Sequence, residues 1–152
     1  RAGQGGRPFR LVKFRTMHPA MDGERSAEWV WNRNDDARIT RVGHWLRPLR
    51  LDELPQFWNI LKGEMGVVGP RPEILSNVRA MTEQIPYYAL RHSIAPGLTG
   101  WAQTRSGYSV SLEQVMEKMR YDLFYIKHMS FWLDLRILVD TAKIVLFGRG
   151  AR

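Results

Sequence analysis

A proline at position 55 falls inside a run that is otherwise helical, and it fixes where that helix can begin. Leu51, Leu54, Trp58 and Leu61, with Phe57 and Ile60 alongside, carry helical spacing and give one apolar face for a core. Proline lacks an N–H and is tolerated only in the first turn, where the backbone donors have no internal partner. The helix therefore starts near Asp52, which falls at the N-cap or the first helical position. Lys62-Gly63 supplies the stop, a cation at the negative end followed by a residue free to turn.

The start of a helix is electropositive and offers free N–H groups. Asp52 is thus expected to stay ionised, with room for a phosphate beside it. Adjacent helical residues diverge, so Asp52 and Glu53 suit two jobs, one carboxylate attacking and the other holding a metal. An acidic first turn is common in any helix, so the pair alone does not specify chemistry. Arg47 and Arg50 precede it, and Arg71 follows in Pro70-Arg71-Pro72 after Gly63, Gly66 and Gly69. A guanidinium on so stiff a backbone suits bidentate contact with phosphate or carboxylate, although a solvated arginine in a proline-rich turn is the plainer reading. Val67-Val68 is long enough only for a buried strand fragment.

Upstream, Arg1 to Gly6 reads as a glycine-rich loop or hairpin arm, and Phe9 to Met17 alternates as a strand. Lys13 and Arg15 then project from one face as a two-pronged phosphate grip, or as a charged outer sheet face. His18 to Thr40 is polar and expected to be a mobile loop, with Trp29 and Trp31 packing down or meeting lipid headgroups. Ile39 to Leu49 forms a short helix that delivers Arg47 and Arg50 beside Asp52. Glu73 to Ser93 is helical with a break at Pro86. Ala95 to Gln103 is turn-rich and able to line a pocket, and another loop follows over 105–109. Ser111 to His128 and Phe131 to Phe147 are long helices. On the last, Arg136, Asp140 and Lys143 share a narrow stripe opposite Asp134. It carries too many charges to span a bilayer, and is either a buried core helix or one lying at a membrane interface. The pattern defines an α+β, mostly helical single domain over residues 1–152, with a short N-terminal β-hairpin or strand and amphipathic membrane-interface helices.

Twenty-three basic residues against fifteen acidic give a formal charge of +8, which calls for an anionic partner. The absence of cysteine excludes disulfides and thiolate metal sites. His18, His44, His92 and His128 lack ligand spacing, and there is no Walker loop or nucleophile elbow. The chain opens in RAGQGGRPFR without a methionine and reads as a fragment of something longer. A non-enzymatic basic module binding nucleic acid or anionic membrane is the alternative class. It accounts for the charge but not for an acidic pair at a helix start amid arginines.

Five segments occur in order: KFRTM (13–17), LDELPQFWNILKGEMGVVGPRP (51–72), APGLTGWAQ (95–103), YDLFYI (121–126) and FWLDLRIL (131–138). Together they resemble the bacterial sugar transferases, the monotopic polyprenyl-phosphate phosphoglycosyl transferases. The resemblance implies transfer of a sugar-1-phosphate from a nucleotide diphosphate sugar, usually UDP-linked, to undecaprenyl or another polyprenyl phosphate. It places this step at the cytoplasmic face of the bacterial inner membrane, initiating surface polysaccharide or glycoconjugate assembly. It implies Asp52 as nucleophile through a covalent aspartyl phosphosugar, with Mg2+ close by. Glu53 is the favoured ligand and Asp52 shares it. Arg47 and Arg71 bind substrate phosphate, assisted by Lys13 and Arg15. The expected partners are the donor, the lipid acceptor and the membrane, without nucleic acid; a homodimer is compatible with the reading. The family's N-terminal re-entrant membrane helix has no counterpart in these residues, so the stretch itself is expected to be soluble or peripheral.

Overall fold

The computed structural model describes residues 1–18, 38–106 and 111–147. Most of the expected polar loop, including Trp29 and Trp31, and positions 107–109 of the loop after Gln103 lie outside them. Helices dominate: α1 (Arg41–Leu46), α2 (Gln56–Leu61), α3 (Leu75–Gln84), α4 (Trp101–Arg105), α5 (Leu112–His128) and α6 (Phe131–Phe147). Two three-residue strands, β1 (Gly66–Val68) and β2 (Gly97–Thr99), pair in parallel with Gly66 opposite Gly97 and Val68 opposite Thr99. The chain is therefore α+β and mostly helical.

One core forms where α3 meets α5. Met81, Ile85 and Tyr88 are buried, with Val78, Ala80, Val115 and Met119 packed around them. The helix stops before Pro86, as the sequence requires, and resumes as a 3-10 turn over Tyr88–His92. Ser111 caps α5 with a reciprocal box, its hydroxyl accepting from the Gln114 N–H while the Gln114 side chain accepts from the Ser111 N–H. Tyr125 donates to Asp134 at 2.7 Å and ties α5 to α6. Thr141 on α6 meets the Thr99 hydroxyl at 2.6 Å, anchoring that helix to β2. The chain passes very closely between the strands: a Cβ on Gly97 would overlap the Gly69 amide nitrogen. Only glycine permits that approach.

Three expectations change. Phe9 to Met17 forms no regular strand. Its β contacts are isolated antiparallel bridges, Met17 to Ile39 at its end and Ala2 to Pro8 just before it, the latter closing a hairpin-like arm around the 3-10 turn Gln4–Gly6. Among the described residues no strand lies alongside, and its backbone groups pair with Asn59 and with the Asp52 carbonyl.

The single helix from Asp52 is two pieces. Leu51–Glu53 is a 3-10 turn entered through Arg50 in the left-handed region (φ 53°), and α2 follows Pro55. Proline at the N-cap of α2 keeps the frame argument but moves it one turn downstream.

The largest difference is that α2 is inside out. Gln56 and Asn59 are buried, Asn59 only 1% exposed, whereas Leu54, Phe57, Trp58 and Leu61 face outward, Leu61 at 79% exposure. The apolar periodicity is real, but it marks the outer face. The same holds in α1, where Trp45 is 80% exposed. In α6 only Ile137 is buried, while Phe131, Trp132, Leu146 and Phe147 are exposed, so it is not a buried core helix. Among the described residues no helix is long and apolar enough to cross a membrane.

Candidate active site

Arg50 turns the chain so that Asp52 points inward. Asp52 is 7% exposed, between the end of α1 and the start of α2. A non-glycine residue in the left-handed region costs roughly 1–3 kcal/mol, and such strain persists only where surrounding structure enforces it. The Glu53 and Leu54 N–H groups donate to the Arg50 and Leu51 carbonyls at 3.1 and 3.2 Å, which closes the tight turn.

The segment that carries Lys13 is held against this turn on both sides. Phe14 N–H donates to the Asp52 carbonyl at 3.0 Å. Asn59 accepts from Val12 N–H at 3.0 Å and donates to the Arg10 carbonyl at 2.9 Å and to Glu64 at 2.6 Å. A buried polar side chain on α2 thus does the work of an absent neighbouring strand. Lys13 and Arg15, two residues on, are both exposed, and the charge of Lys13 acts on Asp52 and Glu53. Without a regular strand, the alternation that would place Lys13 and Arg15 on one face does not apply.

Arg71 donates to Glu53 at 2.7 Å, so the Pro-Arg-Pro turn does return a guanidinium to the acidic pair. The two carboxyls respond oppositely. Burial pushes the Asp52 carboxyl up, the Glu53 charge adds to this, and Lys13 and Arg47 pull the other way. Burial works against Glu53 too, but the Arg71 charge and hydrogen bond more than offset it, with help from Arg50 and Lys13, and Glu53 is held below its ordinary value. Lys13 is lowered by burial and by Arg1 and Arg47, against the attraction of Asp52 and Glu53. The helix-start argument for a stabilised Asp52 anion is therefore corrected: at this site cations counter a net unfavourable environment. Asp52, Glu53, Lys13, Arg47, Arg50 and Arg71 form one electrostatic cluster.

Behind Arg71 lies a layer that the sequence reading did not assign. Arg91 and Asp122, each 2% exposed, form an ion pair at 2.7 Å. Glu73 accepts from Lys118 at 2.6 Å and lies 3.5 Å from Arg91. The available signal was a carboxylate inside the aromatic YDLFYI run, a residue type rarely buried without a partner.

With this geometry in place, the comparisons define the class. A family profile described as bacterial sugar transferase matches residues 1–148, and the chain belongs to that family. It is 43% identical over its whole length to a UDP-N-acetylgalactosamine-undecaprenyl-phosphate N-acetylgalactosaminephosphotransferase of Aeromonas hydrophila. It is 43% identical over 148 residues, 96% of the chain, to a UDP-glucose:undecaprenyl-phosphate glucose-1-phosphate transferase of Caulobacter vibrioides. An uncharacterized sugar transferase of Bacillus subtilis is 40% identical over 150 residues, 99% of this chain and 69% of its own length. The chain spans 35% of the Aeromonas relative and 54% of the Caulobacter one.

Proposed function

We propose that the protein containing this chain transfers a sugar-1-phosphate from a UDP-sugar to undecaprenyl phosphate at the cytoplasmic face of the membrane. The activities of the relatives support the substrate classes. The observation that carries the reading is a buried aspartate countered by Lys13 and Arg47, next to a glutamate already held by Arg71.

In the first step an Asp52 oxygen attacks the phosphorus that bears the sugar. The bond from that phosphorus to the bridging oxygen breaks, and UMP leaves with the oxygen. In the second step an oxygen of the polyprenyl phosphate attacks the same phosphorus, the bond to Asp52 breaks, and the carboxylate is regenerated. Both partners are anionic, so Arg47, Lys13 and Arg71 serve mainly to neutralise charge and orient phosphate oxygens. Burial of Asp52 excludes water that would compete for the phosphorus.

Mg2+ fits the donor set. It characteristically binds through one or two carboxylates plus substrate phosphates, and Glu53 with Asp52 offers that pair, while no group of three such ligands occurs among the described residues. Bound there by Glu53, with Asp52 sharing, it would supply charge neutralisation to the diphosphate.

The outward apolar residues Val42, Trp45, Leu49, Leu54, Trp58 and Leu61, and those of α6, support a lipid surface as the environment of the acceptor. The reading as a nucleic-acid-binding module is not favoured, because it leaves the acidic pair and these faces without a role.

The test uses the full-length protein and UDP-sugar alone. UMP should be released once per active site, and the protein should gain the mass of the phosphosugar. Asp52→Asn should abolish both and lower turnover by about 10³-fold or more. An unchanged protein mass under conditions where the complete reaction runs would refute the covalent route.

A further inference from the structure

Arg71 has a backbone problem. It stands between two buried prolines, neither of which offers an N–H, and the sheet ladder ends just before it. Gly97 N–H secures the Pro70 carbonyl at 2.9 Å. The next carbonyl, that of Arg71 itself, accepts from the guanidinium of Arg91 at 3.2 Å. That guanidinium is fixed from three other directions. Its Nε and one terminal nitrogen donate to a single Asp122 oxygen at 3.1 and 2.7 Å, its other terminal nitrogen donates to the Tyr88 hydroxyl at 2.9 Å, and Glu73 stands at 3.5 Å. Asp122 and Lys118 lie on α5, Tyr88 on the turn after α3, and Arg91 links both to the loop that carries Arg71.

We propose that Arg91 is a positioning residue: its buried guanidinium, held by Asp122, grips the Arg71 carbonyl and so aims the Arg71 side chain at Glu53, beside Asp52. A buried ion pair is weak evidence for stability, because a well-packed apolar substitute can be as stable. Its value here lies in direction. A planar five-donor group serves α5, the Tyr88 turn and the Arg71 carbonyl at once, which a lysine ammonium on a flexible stem does not reproduce. The catalytic half of this inference rests on the transferase reading.

Arg91→Lys keeps the charge opposite Asp122 but gives up the fork. In the full-length enzyme it should lower kcat about tenfold with little change in KM for the nucleotide sugar. In an Arg71→Ala background the same change should cost less than about twofold, because the group it positions is gone. Tyr88→Phe, which loosens the guanidinium by one hydrogen bond, should show the same pattern at a smaller size and covers the case in which Arg91→Lys folds poorly. Amide exchange read by mass spectrometry supplies an arm independent of activity. Peptides covering 69–74 should exchange faster in Arg91→Lys, while those of α5 over 112–128 should not. Equal losses with and without Arg71, or unchanged exchange at 69–74, overturn the proposal. A wild-type protein inactive on every nucleotide sugar defeats the transferase reading instead, and the exchange arm still decides whether Arg91 holds the Arg71 loop.

Discussion

Asp52 and Glu73 show how differently two carboxylates can be held a short way apart in one chain. Asp52 is destabilised as an anion and depends on Lys13 and Arg47. Glu73 lies in a better-compensated place. Burial disfavours its charge, but Lys118, Arg91 and Arg71 win, and its pKa falls from 4.5 to about 2. A carboxylate depressed by folding contributes stability above its ordinary pKa and loses it as pH falls through the folded value. Stability should therefore decline between pH 4.5 and about 2, by at most roughly 3 kcal/mol from this group. Urea midpoints measured across that window should fall steeply in the wild type and less steeply in Glu73→Gln. Identical slopes would mean that Glu73 is not held as described. The acidic pair and Arg71 were legible from residue types and order alone, but the opposite fates of the two carboxyls of the pair were not, because they depend on which cations arrive from elsewhere in the chain.

At the scale of elements, α2 is the instructive case. Asn59 faces inward because it has partners there: it satisfies two backbone groups of the Arg10–Val12 segment and pairs with Glu64. Asn59→Leu keeps the branching of the side chain and leaves those part-buried backbone groups without their partner. A loss of roughly 2–4 kcal/mol is expected in chemical denaturation. Because Lys13 is carried on the same segment, turnover at a temperature where the variant remains folded should also fall, by about tenfold. A variant that loses stability but keeps full turnover would separate the strut from the site. The limits of α5 and α6 followed from periodicity and the end of α3 from Pro86, whereas α1 spans only Arg41–Leu46 of the expected Ile39 to Leu49 and α3 starts at Leu75 rather than Glu73. The Phe9–Met17 strand did not form, since alternation describes a chain able to pair without providing the neighbour.

For the whole molecule, the distribution of apolar surface is the main fact. Substituting Leu54, Trp58 and Leu61 together by serine would destabilise an ordinary core helix by several kcal/mol. Here, with those side chains half to four-fifths exposed, the melting temperature should hardly change. Binding of this chain to anionic liposomes should weaken by at least about tenfold, since each buried side chain of this size contributes about 1.5–3 kcal/mol. A large drop in melting temperature with unchanged liposome binding would return the face to a core role.

What the sequence determined by itself was chemical and local: an acidic pair beside a proline-fixed turn, a stiff arginine, a net positive charge, mostly helical elements, and five ordered segments that mark the family. Tertiary structure alone decided which side of each amphipathic helix faces inward, that Arg71 pairs with Glu53 rather than Asp52, and that Arg91, held by Asp122, stands behind Arg71. Periodicity defines the faces of a helix but not what lies against them. Contacts between residues tens of positions apart leave no local pattern to read.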